Sequence, residues 1–62
     1  MTTMADLADG VRACWPATGN TGTITTRNGR VWIEWDSGPV HSESVSDQGR
    51  VHPADLVIIG EA

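Results

Sequence analysis

The residues that could do covalent or metal chemistry are few: Cys14, His41, His52 and Asp55, with scattered acids besides. Zinc sites draw on Cys and His at short spacings such as C-x-x-C or H-x₃-H, and no pair in this chain has one. Cys14 with either histidine could be written as a nucleophile and its base. Such a pair needs a further group to orient the base and an environment that activates the thiol, and the pattern supplies neither. Glu34 and Asp36 stand at the approach to Ser37-Gly38-Pro39, where solvated turn acids are expected. Thr18-Gly19-Asn20-Thr21-Gly22 is a loop by composition, but no Lys-Ser/Thr follows and no helix begins there, so it is not a phosphate loop. The sequence predicts no enzyme, no cofactor and no metal.

Recognition chemistry is better represented. Asn28-Gly29 is a strong two-residue hairpin signal, because a type I′ turn needs positive φ at both positions. Placing these two residues at the turn sets Arg27 opposite Arg30, Thr26 opposite Val31, Thr25 opposite Trp32, Ile24 opposite Ile33 and Thr23 opposite Glu34. The two faces then separate. Ile24, Thr26, Val31, Ile33 and Trp35 share one side; Thr23, Thr25, Arg27, Arg30, Trp32 and Glu34 share the other. A slip of one residue would destroy that partition. Trp32 on the polar face with arginine beside it has the composition of a binding hot spot, unless a loop or the N-terminal segment covers it. Arg27 opposite Arg30 is a like-charge pair that costs stability, and it is either an anchor for an acidic partner or a solvated hairpin tip.

The second candidate surface is Leu56-Val57-Ile58-Ile59, which is apolar without alternation. A strand with one wet face should alternate. If Leu56 and Ile58 point inward, Val57 and Ile59 either lie under the N-terminal segment around Leu7 or bury against another chain. Trp32, Arg27, Arg30, Val57 and Ile59 are therefore the candidate partner-binding residues.

These residues need a frame. Sixty-two residues with 39% apolar content allow one domain and a thin core. The expected core is Val11, Ala13, Trp15, Ile24, Val31, Ile33, Trp35, Val45, Val51, Leu56 and Ile58. Residues 1–9 read as an N-terminal tail, flexible or laid on the domain as a short turn, with Thr3 and Asp6 at capping-box spacing. Residues 10–62 read as strands punctuated by turns. Val11, Ala13 and Trp15 alternate with polar neighbours until Pro16, and a turn follows at Asp36-Ser37-Gly38-Pro39. Two readings of residues 40–51 are open. Val45 and Val51 flank a hairpin loop with Gly49 left-handed, or one strand over His41–Val45 runs into an open loop. His52-Pro53-Ala54-Asp55 predicts a single turn of 3₁₀ helix before the last strand.

The segments Gly10/Arg12, Thr21-Gly22-Thr23-Ile24, Val31-Trp32-Ile33-Glu34-Trp35-Asp36-Ser37-Gly38 and Val51-His52-Pro53-Ala54-Asp55-Leu56-Val57-Ile58 resemble the SH3-like barrels of the Tudor and KOW type. The resemblance implies an all-β, single five-stranded SH3-like barrel with a short N-terminal tail and a 3₁₀ turn before the last strand. It is nearly silent about function, since this barrel hosts unrelated roles. Readers of methylated side chains in these families use several aromatic rings. This chain has three Trp and no Tyr or Phe, and two of its Trp are assigned to the core. Proline-peptide grooves are lined by tyrosines, and RNA-binding KOW domains are usually basic.

The net charge is −4, and all four basic residues are arginine. An acidic chain repels phosphate backbones, so nucleic acid is not the expected partner. A single cysteine allows no internal disulfide. The first ten residues show no signal-peptide pattern, and no apolar run reaches membrane-spanning length; the expectation is a cytoplasmic protein, or one in the host cytoplasm if phage-encoded. The expected function is a non-catalytic protein–protein interaction or assembly module, of the kind that serves a bacterial or phage complex as an accessory protein. It would bind a protein partner or a second copy of itself. The alternative is a KOW-like nucleic-acid-associated accessory protein, binding through Arg12, Arg27 and Arg30.

Overall fold

A computed structural model describes residues 1–60, and its architecture is all-β. Five antiparallel strands, β1 (Arg12–Trp15), β2 (Asn20–Arg27), β3 (Arg30–Trp35), β4 (Ser42–Ser44) and β5 (Val57–Gly60), form one sheet in the order β4-β3-β2-β1-β5. Single 3₁₀ turns occupy Met4–Asp6 and Pro53–Asp55. The principal extents are 25 × 25 × 24 Å, so the sheet is rolled around its inner face rather than flat, a form compatible with a small barrel. Pro53 opens the second turn, where its missing N–H costs nothing. Asp6 accepts the Thr3 amide at 2.9 Å in the first.

The β2–β3 hairpin has the register that its turn chemistry and face pattern predict. Asn28 and Gly29 have φ of 53° and 74°, and Arg27 pairs with Arg30, Thr25 with Trp32, and Ile24 with Ile33. β2 starts earlier than composition suggests. Asn20, Thr21 and Gly22, expected in a loop, are strand residues opposite Trp15, Cys14 and Ala13. The reason lies in a row across the inner face, Ile58–Ala13–Gly22–Trp35, in which directly opposed residues run through four strands. Gly22 is glycine in this row because the Glu34 carbonyl and the Ile33 side chain approach within 3 Å of where its Cβ would stand.

The core comprises Leu7, Val11, Ala13, Ile24, Ile33, Trp35, Val45, Val51 and Leu56. Leu7 belongs to it at 3% exposure, so the segment before residue 10 contributes a core side chain and does not cover the outside of β5. Trp15 and Val31, expected in the core, are half-buried against it. Ile58 is a correction: it faces inward opposite buried Ala13 but remains 37% exposed. Its strand is at the sheet edge, with a neighbour on one side only. Of the two readings of residues 40–51, the structure follows the single strand running into a loop and not the hairpin. β4 ends at Ser44, and Val45 and Val51 meet in an isolated parallel bridge. Gly49 is not among the positive-φ glycines.

Candidate partner-binding surfaces

The hairpin brings three of the five candidate residues together. Arg27, Asn28, Arg30 and Trp32 line an open cleft of about 430 Å³ at the β2–β3 turn. The Arg27 guanidinium lies over the Trp32 ring, 5.5 Å from its centroid. A cation over an indole face is attracted by the ring quadrupole. Trp32 is therefore half-buried, covered by its hairpin neighbour rather than by the N-terminal segment. Arg27 and Arg30 are exposed and directly opposed.

Val57 and Ile59 lie at the far edge of the sheet from Trp32, on β5. They are 50% and 54% exposed, and Ile58 between them is 37% exposed. The pairing with β1 shifts here: Ala13 opposes Ile58, whereas Arg12 opposes Gly60, leaving Ile59 as the extra residue of a bulge. A bulge bends and twists its strand and brings Ile59 to the surface beside Val57, while Ile58 faces inward and is exposed through the edge position of β5. The two candidate surfaces are separate.

The remaining arginines are committed to acids. Arg12 reaches across β2 to Asp36, with Nη1–Oδ1 at 2.7 Å, and Nη1 also donates to the Thr23 hydroxyl at 2.8 Å. The Thr21 hydroxyl donates to Asp36 Oδ2 at 2.7 Å. These donors hold the Asp36 carboxyl down at about 2, the Arg12 hydrogen bond foremost and Thr21 next. Asp36 is thus an acid engaged by two strands and not a freely solvated turn acid. It also removes Arg12 from the group of arginines free to bind a phosphate.

A fourth cluster escaped the sequence reading, which assigned both of its indoles to the core. Trp15 and Trp35 stack with centroids 5.8 Å apart and planes 15° from parallel. The Trp35 Nε1–H donates to Glu43 Oε2 at 3.0 Å. Arg50 bridges to Glu43 at 3.3 Å and lies over Trp15 at 5.9 Å. The signal was present: both tryptophans end their strands just before a proline-containing turn, so they share one end of the sheet. Arg50 ties the 46–50 loop to that end.

Of the metal-ligating types, His41 and His52 are exposed and Cys14 is half-buried, opposite Thr21 and Val57. Among the described residues no three His, Cys, Asp or Glu side chains gather as a ligand set. No helix among them is long and apolar enough to cross a membrane. Comparison with protein-family models, curated proteins and solved structures finds no match to this chain.

Proposed function

We propose that the chain is a non-catalytic protein–protein interaction module, an SH3-like barrel of the Tudor and KOW type that docks through the exposed apolar edge formed by β5. The observation that carries this reading is the run Val57-Ile58-Ile59, exposed by 50%, 37% and 54% on an edge strand. Full burial of an aliphatic side chain is worth roughly 1.5–3 kcal/mol. Covering the exposed shares of these three would contribute about 2–4 kcal/mol per chain, a large share of what a domain this size has in total. The occupant best suited to the patch is a second copy of the chain, since two copies meeting at β5 satisfy the same need on both sides. The bulge at Ile59 favours side-chain contact over ladder extension, because it interrupts the flat edge that a new strand would pair with.

Sedimentation equilibrium tests this. The wild type should form a dimer in the micromolar range, and Val57→Ser/Ile59→Ser should be a folded monomer. If the double variant and the wild type are both monomers with equal thermal midpoints, the proposal fails. A second reading, a KOW-like nucleic-acid-associated protein, is supported by the Arg27, Arg30 and Trp32 cluster alone and opposed by the net charge of −4. Steeply salt-dependent micromolar binding to DNA or RNA would establish it.

A further inference from the structure

We infer that the β2–β3 hairpin tip is a receptor for two carboxylates presented by an extended acidic peptide segment, with Trp32 as the platform for an apolar side chain beside them. The inference is independent of β5. It begins from the distribution of charge. Two of the four arginines are paired with acids, Arg12 with Asp36 and Arg50 with Glu43. Among the described residues Arg27 and Arg30 have no acidic partner, although the chain carries eight acids. The acids within reach of the hairpin are otherwise engaged. Asp9 accepts the Thr26 amide at 2.9 Å, and Glu34 accepts the Thr25 hydroxyl at 3.1 Å. The tip is thus a local positive island on an acidic protein.

Geometry fits the ligand class. Arg27 and Arg30 are opposed across an antiparallel pair, which sets their Cα atoms roughly 4.5–5.5 Å apart. Carboxylates at positions i and i+2 of an extended peptide share a face and are separated by about 6.6 Å along the chain. The long arginine side chains can span that difference, and each guanidinium can grip one carboxylate through two parallel hydrogen bonds. Trp32 lies two residues beyond Arg30 on the same face, with Asn28 closing the cleft at the turn. An apolar side chain beside the two carboxylates, on the β3 side of Arg30, would meet the part of the indole that Arg27 leaves open. Two cations suffice for two carboxylates, whereas a nucleic-acid backbone presents charge along its whole length to a protein that repels it.

The test uses the full chain and a blocked pentapeptide, Glu-Ser-Glu-Ser-Leu, followed by NMR at the Arg27, Arg30 and Trp32 side-chain N–H groups. Saturable shifts are expected at all three, with a dissociation constant below about 1 mM. Arg30→Glu should weaken binding by about tenfold or more while the Trp15 and Trp35 resonances stay in place. Arg30→Lys keeps the charge but loses the fork, and should recover only part of the affinity. Peptide binding unchanged in both Arg27→Ala and Arg30→Ala would overturn the inference. So would an oligothymidylate that binds the same three side chains more tightly than the peptide, or inorganic phosphate that matches it.

Discussion

Gly22 is the residue whose substitution should reveal most about how the sheet is held. It occupies the inner-face row between Ala13 and Trp35, and its backbone is ordinary strand, so alanine meets no conformational penalty there. A Cβ at this position would stand 2.6 Å from the Glu34 carbonyl oxygen and 2.9 Å from Ile33 Cγ1. Carbon-to-oxygen contacts between strands settle at about 3.3 Å or more, so the overlap is roughly 0.7 Å. The obstructing oxygen belongs to the neighbouring strand's backbone and cannot swing aside as a side-chain tip would. β2 and β3 must separate or the Glu34 peptide must turn. Overpacking of this kind costs about 1–3 kcal/mol, and a backbone obstacle places it near the upper end. Loss of glycine's unfolded-state freedom offsets about 0.4–1 kcal/mol. A net cost of about 2 kcal/mol predicts a fall in thermal midpoint of roughly 8–16 °C for a domain of this size. Thermal unfolding followed by tryptophan fluorescence measures it. A Gly22→Ala protein melting within about 4 °C of wild type, with an unchanged Trp15–Trp35 signal, would refute the close approach of the Glu34 carbonyl as the reason for glycine.

Gly29→Val should lose about 1–2 kcal/mol for a different reason, since nothing lies within 4 Å of its Cβ position but its φ is +74° and a branched side chain resists that region; chemical denaturation should show the loss with the rest of the sheet intact. Arg30→Glu turns a like-charge pair into an opposite-charge one and should raise stability by about 0.5–1 kcal/mol, read as a higher midpoint in the same protein that loses peptide binding. Glu43→Ala leaves the Trp35 indole N–H, 9% exposed in its residue, without its acceptor and should cost about 1–3 kcal/mol, whereas Arg50→Ala, whose side chain is 72% exposed, should cost under about 1 kcal/mol. Asp36 titrates at about 2 in the folded chain, below the usual carboxylate value near 3.9. Its stabilising effect is therefore complete above pH 4 and lost as the pH falls toward 2. Asp36→Asn should flatten stability across that window, and an unchanged acid limb would refute the Arg12–Asp36 contact as its source.

The hairpin was fully legible because two independent signals agreed: a turn that only positive φ satisfies, and a face partition that a one-residue slip would scramble. The short turn at Pro53–Asp55 was legible from the turn composition of His52-Pro53-Ala54-Asp55. What the sequence could not convey was context that arises between elements. Gly22 looks like loop punctuation until the Glu34 carbonyl and Ile33 of the neighbouring strand are set against it. Leu7 has no periodic neighbour, so nothing local shows that it completes the core. Ile58 obeys the alternation rule and faces inward, yet edge position overrides pattern and leaves it exposed. Trp15 and Trp35 were assigned to the core by hydrophobicity, which does not register that both stand at a strand end and that one of them carries an N–H requiring an acceptor.

The two candidate surfaces share an energetic logic. A thin core leaves this domain little stability to spare, and most of its polar groups are used to hold the sheet: Asp36 joins three strands through Arg12 and Thr21, Glu43 joins Trp35 to the 46–50 loop, and Asp9 holds the Thr26 amide. Against that background the departures are local. Three aliphatic side chains on β5 remain partly in water, and two arginines face each other at the hairpin tip with no acid between them among the described residues. Each arrangement lowers stability, and the arginine pair would be relieved by one acidic substitution. Surfaces that cost stability in the isolated chain are the ones a partner would restore. That is why the apolar run and the arginine pair, rather than the better-satisfied clusters at Asp36 and Glu43, are where binding is to be sought.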